Sequence, residues 1–325
     1  MIILITGIAG FIGSHLGEKL VSNGHTVLGI DNFDPFYPKK SKIENLKQLN
    51  TSDQFSFFEV DIRNRIPINN IFENNEIDVV IHLAAKAGIR PSIEQAVEYC
   101  EVNINGTLNL LECMRQNNVS KLIFASSSSV YGNNNKVPFS EMDAVDNPIS
   151  PYAATKRSGE LLCNVYSHLY QFDISCLRFF TVFGPRQRPD LAIHKFTRLI
   201  DLDKPIPFFG DGSTARDYTY IDDIVEGIMC SLNKLKGFNI YNLGESRTVT
   251  LNKLIHTIES VINKKAILEK HPLQPGDVQQ TFADITKARK ELGYDPKYNL
   301  EMGIQKFVDW YKECKAKLYQ SLTLL

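Results

Sequence analysis

The amino terminus constrains the fold most, because it runs from an apolar strand directly into a glycine-rich turn. Residues 2–5 are continuously apolar, as expected for a parallel strand that is buried on both faces. TGIAGFIG follows at 6–13, an amphipathic helix pattern runs to about Asn23, and residues 26–30 form a second strand that ends at Asp31. This order predicts a β-α-β unit that binds a dinucleotide, whose pyrophosphate meets the N-terminus of the helix.

Each glycine of the turn meets a different steric requirement. Gly7 permits the tight turn, Gly10 lets the backbone approach the pyrophosphate, and Gly13 lets the helix pack on the sheet. Asp31 stands where a carboxylate can bind both hydroxyls of a ribose, and it would repel a 2′-phosphate. The predicted cofactor is therefore NAD rather than NADP. Glycines needed only for helix packing are the alternative, which the strand–turn–helix–strand–acid context disfavours.

Further strand-like runs indicate one large α/β sheet. They lie at 55–60, 77–84, 120–126 and 174–182, with helical patterns between them. This alternation predicts a Rossmann-like, doubly wound parallel sheet.

Two domains are expected from the change in composition near Phe180, where prolines and glycines become frequent. Residues 1–179 are predicted to form the NAD-binding domain, and 180–325 a smaller C-terminal α/β domain that binds substrate. A helix and strand pattern at 220–243 predicts that the chain returns there to the first domain.

The charge balance and the cysteines exclude several classes of protein. There are 36 basic and 37 acidic residues, so no basic field is available to bind nucleic acid or an anionic membrane. The six cysteines have neither metal-site nor disulfide spacing, which predicts reduced thiols in a cytoplasmic protein and no metal. No apolar stretch is long enough to cross a bilayer.

A candidate catalytic pair occurs in ISPYAATKRSGELL, where Tyr152 and Lys156 lie one helical turn apart on the same face. A tyrosine with its ordinary pKa of about 10 is a poor base. A nearby ammonium and the positive nicotinamide would favour its phenolate form. Alone, the pair could equally be an exposed tyrosine beside a solvated lysine. The catalytic interpretation is favoured by a second segment, FASSSSVYG at 124–132, which ends a predicted strand upstream.

Taken together, these motifs resemble the extended short-chain dehydrogenase/reductase family over nearly the whole chain. The resemblance implies that Ser127, Tyr152 and Lys156 are catalytic. The serine binds the reacting hydroxyl of a nucleotide sugar, and Tyr152 removes the proton while hydride passes to NAD. The positions that it implies for NAD binding are Gly7, Gly10, Phe11, Ile12, Gly13, Asp31, Asn32, Asp61, Ile62, Leu83, Ala84, Ala85, Lys86, Asn103, Ser126, Tyr152, Lys156 and Phe179.

The residues after Ser127 separate the branches of this family. Nucleotide-sugar 4,6-dehydratases carry an Asp–Glu pair directly after the catalytic Thr, and UDP-glucuronate decarboxylases carry a Glu two residues after it. Here these positions are Ser128 and Ser129, so neither reaction has its proton carrier. Epimerisation or simple reduction remains.

The segment GPRQRPD at 184–190 resembles the UDP-glucuronate 4-epimerases of this family. The resemblance implies that Arg188 pairs with the sugar carboxylate, helped by hydroxyls of Ser128, Ser129 and Thr181. Such a grip is needed because oxidation at carbon 4 makes a β-keto acid that readily loses carbon dioxide. The positions implied for substrate binding are Arg90, Ser127, Ser128, Ser129, Thr181, Arg188, Phe208, Phe209, Arg216 and Asp277.

Other functions remain open at this stage. Arg188 could form a surface salt bridge or contact the diphosphate of a neutral sugar nucleotide. Thr281 leaves room for bulky substituents, so a UDP-glucose or UDP-N-acetylglucosamine 4-epimerase is the main alternative. A nucleotide-sugar reductase, a dehydratase and a non-catalytic NAD-binding regulator are further possibilities. The family resemblance also implies a homodimer that pairs through helices near 96–117 and 152–171.

Overall fold

The computed structural model describes residues 1–272 and 278–323. Its strands are β1 (Ile2–Thr6), β2 (Thr26–Asp31), β3 (Phe55–Glu59), β4 (Val79–His82), β5 (Lys121–Ser127), β6 (Asp173–Phe179), β7 (Thr181–Phe183), β8 (Ile206–Phe209), β9 (Ala215–Arg216), β10 (Tyr218–Tyr220), β11 (Phe238–Leu243), β12 (Val249–Thr250) and β13 (Leu268–His271).

Helices lie between many of these strands along the chain. They are α1 (Phe11–Ser22), α2 (Lys39–Leu46), α3 (Arg65–Glu73), α4 (Ile89–Glu94), α5 (Ala96–Cys100), α6 (Gly106–Gln116), α7 (Pro151–Tyr170), α8 (Ala192–Asp201), α9 (Ile221–Asn233), α10 (Leu251–Ile262), α11 (Thr286–Leu292) and α12 (Leu300–Thr323). Short 3-10 turns at Leu49–Thr51 and Ser128–Tyr131 and a π turn at Glu101–Asn105 complete the regular structure.

The central sheet is parallel throughout, in the order β3-β2-β1-β4-β5-β6-β11. Successive side chains of a strand point to opposite faces. Ile3 and Ile5 of β1 therefore pack into the core on one face, and Leu4 packs into the core on the other. Burial on both faces explains why these strands are continuously apolar. The predicted Rossmann-like, doubly wound sheet is confirmed.

The predicted strand at 174–182 is interrupted at Phe180, and this prediction is corrected. The Phe180 amide donates to the Leu243 carbonyl of β11 at 3.1 Å, and the Thr181 amide donates to the Asp217 carbonyl at 3.0 Å. The chain thus leaves the central sheet, and β7 pairs with β10 instead. Two further short sheets, β8 with β13 and β9 with β12, lie in the later part of the chain.

The predicted helix at 96–117 is divided by the π turn into α5 and α6. The helix predicted near 152–171 is continuous as α7 and begins at a defined cap. The Ser150 hydroxyl accepts from the Ala153 amide at 3.2 Å, and Pro151 occupies the first helical position, which its fixed φ favours. This start places Tyr152 in the first turn of α7. In the described part of the chain, no helix is both long and apolar enough to span a bilayer.

Candidate active site

A cavity of about 510 Å³ opens where the carboxyl ends of β1, β2, β4 and β5 meet, which is the expected ligand position in an open α/β sheet. Its volume lies in the range of cofactor and small-molecule sites, ~300–1,000 Å³. The predicted site residues that line it are Gly7, Gly10, Phe11, Ile12, Gly13, Asp31, Asn32, Asp61, Ile62, Leu83, Ala84, Ala85, Lys86, Ser126, Ser127, Ser128, Ser129, Tyr152, Lys156, Phe179, Thr181, Arg188 and Arg216.

The glycine turn at the cavity floor has no space for side chains. Gly7 has a φ of +76°, and a Cβ there would lie 2.8 Å from the Ala84 amide nitrogen. A Cβ on Gly13 would lie 2.2 Å from the Gly7 carbonyl oxygen. Both contacts are with backbone, which cannot rotate away. The turn therefore brings bare backbone to the N-terminus of α1, as a pyrophosphate site requires.

Two carboxylates stand at the far end of this floor. Asp31 is buried, and its oxygens accept from the amides of Phe33 at 2.8 Å and Ala9 at 3.1 Å. Burial is the main cause of its raised pKa. Asp61 accepts from the Asn32 amide at 2.8 Å and from both arms of Arg63, and the Arg63 bond is the main cause that lowers its pKa to about 2.

Asn103 supports the cavity wall from beneath and does not line it. Its side-chain oxygen accepts from the Lys86 amide at 2.8 Å, and its nitrogen donates to the Lys86 carbonyl at 3.0 Å. The same nitrogen donates to the Thr155 hydroxyl on α7 at 3.0 Å. Asn103 lies in the π turn, which aims this side chain at the loop after β4.

The predicted catalytic residues come together where β5 ends beside the start of α7. The Tyr152 hydroxyl is hydrogen-bonded with Ser127. The Lys156 ammonium donates to the Ala125 carbonyl of β5 at 2.7 Å. Burial lowers the pKa of Lys156 to about 8.

The surroundings of Tyr152 act on its pKa in both directions. Burial raises the pKa of this phenol, and the groups that act in the opposite direction are the Ser127 hydroxyl and the Arg188 charge. The effect expected of the Lys156 ammonium and the nicotinamide on this phenol stays a prediction. The ammonium itself is held against β5 by the Ala125 carbonyl.

The serines after β5 have different surroundings. Ser129 donates its hydroxyl to the Ser127 oxygen at 2.7 Å, so a short hydroxyl chain leads to Tyr152. Ser126, by contrast, donates to the buried Glu160 carboxylate at 2.6 Å. The hydroxyl of Ser126 is thus already paired inside the protein, although the residue lines the cavity.

Arg188 reaches the cavity but is not a free guanidinium. Its Nε and Nη2 donate to the two Asp190 oxygens at 3.1 and 2.9 Å, and its Nη1 donates to the Ala87 carbonyl at 3.2 Å. The guanidinium also lies 4.9 Å from the centre of the Phe36 ring. The edge that was predicted to grip a sugar carboxylate is therefore paired with Asp190.

The remaining residues that were predicted to bind substrate lie at different places in the fold. Phe208 and Phe209 alternate on β8, so Phe208 is 5% exposed and packs in the core, and its contact with substrate stays a prediction. Phe209 lies on the other face, with its ring centre 5.0 Å from the Arg90 guanidinium. Neither Phe209 nor Arg90 lines the cavity. The Arg216 guanidinium donates to the Ala215 carbonyl at 2.9 Å. Asp277 lies outside the described residues.

Several residues of this site were not predicted from the sequence. Tyr99 and Lys42 gave no local signal, because each acquires its position through tertiary contacts. Asp190, only two residues after Arg188, could have been suspected from its charge. Glu160 and Arg178 were missed because neither borders the cavity.

Comparison with known proteins agrees with this geometry. The sequence profile described as GDP-mannose 4,6 dehydratase matches residues 4–307. A UDP-glucuronate 4-epimerase of Thermodesulfobacterium geofontis is 47% identical over 311 residues, covering 95% of this chain and 96% of that protein.

Two crystal structures are also similar. The UDP-glucuronic acid 4-epimerase of Bacillus cereus, in complex with UDP-glucuronic acid and NAD, has a TM-score of 0.91 and 39% identity, covering 97% of this chain and 100% of that one. The UDP-glucose 4-epimerase of Thermotoga maritima with UDP-glucose has a TM-score of 0.90 and 33% identity, covering 97% and 99%. The chain belongs to the GDP-mannose 4,6-dehydratase-like branch of the extended short-chain dehydrogenase/reductase family.

Proposed function

We propose that this protein is an NAD-dependent UDP-glucuronate 4-epimerase, which interconverts UDP-glucuronate and UDP-galacturonate by transient oxidation at carbon 4. The similarity to epimerases of that name, across almost the whole of both chains, supports this function. The observation that carries it is the Ser127–Tyr152–Lys156 group, placed at the cavity into which the glycine turn opens.

The residues of the cavity floor fit NAD. The backbone of the turn at Gly7, Gly10 and Gly13 would hold the pyrophosphate, and Asp31 would hold the adenosine ribose. Asp61 with Ile62 would border the adenine, and the loop from Leu83 to Lys86, together with Phe179, would cover the remainder. When bound, NAD takes the hydride from carbon 4 of the sugar and later returns it to the other face of the same carbon.

The proton at the reacting oxygen is handled by side chains of β5 and α7. Ser127 hydrogen-bonds the sugar hydroxyl, and Tyr152 removes its proton as the carbon is oxidised. The hydrogen bond from Ser127 lowers the pKa of Tyr152 against the effect of burial, so it favours the basic form. Lys156 adds a positive charge behind this site, fixed in place by the Ala125 carbonyl.

The positions after Ser127 support epimerisation over the dehydration named in the matching family profile. Ser128 and Ser129 line the cavity where that reaction needs carboxylic acids. Hydroxyls can bind a sugar carboxylate, but they are far too weakly acidic to protonate a leaving hydroxyl.

Recognition of the uronic acid rests on these hydroxyls and on Arg188. Ser128, Ser129 and Thr181 all line the cavity beside the guanidinium. Because Asp190 pairs with Nε and Nη2 and the Ala87 carbonyl with Nη1, Arg188 would exchange one of these partners for the sugar carboxylate. This contact is proposed to hold the carboxylate away from the alignment that releases carbon dioxide.

Incubation with UDP-glucuronate tests the proposal, with the sugar protons followed by NMR and evolved carbon dioxide monitored. Formation of UDP-galacturonate without gas or net NADH supports it. Arg188→Ala should then lose its preference for the carboxylated sugar and release carbon dioxide. Lys195→Ala, on the following helix α8 and outside the cavity, is a matched control for removal of a positive charge. Decarboxylation by the unmodified protein, or no reaction, would contradict the proposal.

A UDP-hexose 4-epimerase is the second candidate. Thr281 is small and lines the cavity, so it leaves room for an N-acetyl group, and Asp190 partly neutralises Arg188. Similarity to the Thermotoga maritima UDP-glucose 4-epimerase also favours it. Turnover of UDP-glucose or UDP-N-acetylglucosamine with none of UDP-glucuronate would identify this alternative.

The proposal includes two domains with different binding roles. Residues 1–179 form the NAD-binding domain and 180–325 the domain that binds the nucleotide sugar. The parallel pairing of β11 with β6 is consistent with a return of the chain to the first domain. Cytoplasmic location is supported by the six cysteines, which form no disulfide with one another, since thiols remain reduced in that compartment.

We also propose that the protein forms a homodimer through α7 and the neighbouring α5 and α6. Leu161, Val165 and Leu169 recur every four residues on α7 and are 50%, 45% and 60% exposed. Val97 on α5 is 78% exposed. A continuous exposed apolar stripe of this kind favours burial against a second subunit.

A further inference from the structure

Tyr99 on α5 carries a polar atom that the mechanism above does not use. The residue is fully buried, and it borders the active-site cavity. Its hydroxyl has no hydrogen-bond partner within the part of the chain that the structure describes. Buried polar atoms are nearly always paired, because removing them from water without a partner costs free energy. This hydroxyl therefore calls for a partner that enters the cavity.

The surroundings of Tyr99 belong to the proposed sugar site. Its ring meets the Tyr152 ring edge to face, with centroids 6.3 Å apart and planes at 84°. The charge of Arg188 acts on the same hydroxyl and lowers its pKa, against a larger effect of burial. Tyr99 thus lies next to the residue proposed to remove the proton and near the residue proposed to face the carboxylate.

On the other side, Tyr99 meets the loop after β4. The Lys86 ammonium lies 6.0 Å from the centre of its ring. That ammonium pairs with Glu98 at 2.8 Å, and it forms no hydrogen bond with the Tyr99 hydroxyl. A phenol hydroxyl can donate one hydrogen bond and accept others, and sugar hydroxyls and carboxylates can accept from it.

We propose that the Tyr99 hydroxyl donates a hydrogen bond to a sugar oxygen of the bound nucleotide sugar, beside the reacting carbon. This role rests on the proposed function and adds a sugar-binding residue to it. Burial raises the pKa of Tyr99 to about 12, so the hydroxyl stays protonated and remains a donor at every pH at which the enzyme would operate. Burial of this hydroxyl without a partner lowers the stability of the ligand-free protein, and the hydrogen bond to the bound sugar offsets that cost.

Tyr99→Phe is the test, because it removes one atom and keeps the ring. The loss of one hydrogen bond of typical strength predicts a roughly five- to tenfold rise in KM for UDP-glucuronate. The Kd for UDP, which lacks the sugar, should not change, and neither should the NAD retained through purification. The melting temperature of the protein without substrate should stay the same or rise.

Tyr294→Phe is the matched control. Tyr294 is also buried, but its hydroxyl donates to the Gly244 carbonyl at 3.0 Å, and the residue does not line the cavity. This variant should lower the melting temperature and leave KM unchanged, the reverse of the pattern expected for Tyr99→Phe.

Three results would overturn the inference. The first is a ratio of the UDP and UDP-glucuronate Kd values that is unchanged in Tyr99→Phe. The second is a loss of bound NAD, which would mean that the hydroxyl contacts the cofactor. The third is a lower melting temperature of the substrate-free variant. The Kd ratio is measured without turnover. If the unmodified protein fails to epimerise UDP-glucuronate, the proposed function is wrong, and the ratio still decides the role of Tyr99.

Discussion

Glu160 is expected to be among the most sensitive positions of this protein, although it does not touch the cavity. It lies on α7 with a fully buried carboxylate, and Arg178 on β6 is 1% exposed. Arg178 donates its Nε and Nη2 to the two Glu160 oxygens at 2.8 and 2.9 Å. The Ser126 hydroxyl donates to the same carboxylate at 2.6 Å. Substitution of Glu160 by Gln leaves the volume but removes the charge that compensates Arg178.

The expected cost follows from this geometry. Removing one partner of a buried ion pair typically destabilises a protein by about 3–5 kcal/mol, because the other charge stays buried and uncompensated. The entropy of unfolding is about 2.1 cal/mol/K per residue, so 325 residues give roughly 0.7 kcal/mol/K. Glu160→Gln should therefore lower the melting temperature by about 4–7 °C.

Thermal unfolding followed by circular dichroism measures this shift, with Glu59→Gln as the matched control. Glu59 pairs with Lys39 at 2.7 Å, but the two side chains are 55% and 51% exposed. An exposed pair contributes at most about 1 kcal/mol, so this variant should shift the melting temperature by about 1.5 °C or less. If Glu160→Gln behaved like Glu59→Gln, the buried pair would not be a major source of stability and the reasoning would fail.

Three further predictions concern the cofactor turn, acid stability and assembly. Gly13→Ala should purify without NAD, measured by absorbance after denaturation, because its Cβ would lie 2.2 Å from the Gly7 carbonyl oxygen; retained NAD would contradict this. Burial lowers the pKa of His82 from 6.5 to about 3, so the unfolded chain binds more protons between these values and stability should fall as pH drops from 7 towards 4. His82→Gln should flatten that dependence of the melting temperature on pH, and an unchanged slope would refute the assignment. Val165→Glu, at a site 45% exposed, should halve the mass measured by light scattering, whereas Lys236→Glu should not; a monomeric parent protein would rule out the dimer.

The parts of this protein that could be predicted from sequence are those whose signal is local. The glycine turn, its flanking strands and Asp31 are contiguous or nearly so, and their chemistry depends on backbone shape that only glycine permits. The spacing of Tyr152 and Lys156 likewise predicts one helical face, since i and i+4 side chains are neighbours. The family resemblance then supplied what these local patterns imply together.

Tertiary structure decided the partners of each charge and hydroxyl. Arg188 was expected to present two nitrogens to substrate, but the fold gives them to Asp190. Burial raises the pKa of Tyr152, and the Tyr99 hydroxyl is left without a partner among the described residues; neither effect has a counterpart in a sequence pattern. Desolvation and hydrogen-bond pairing depend on which segments meet in space, whereas a sequence motif records only the spacing of residues along the chain.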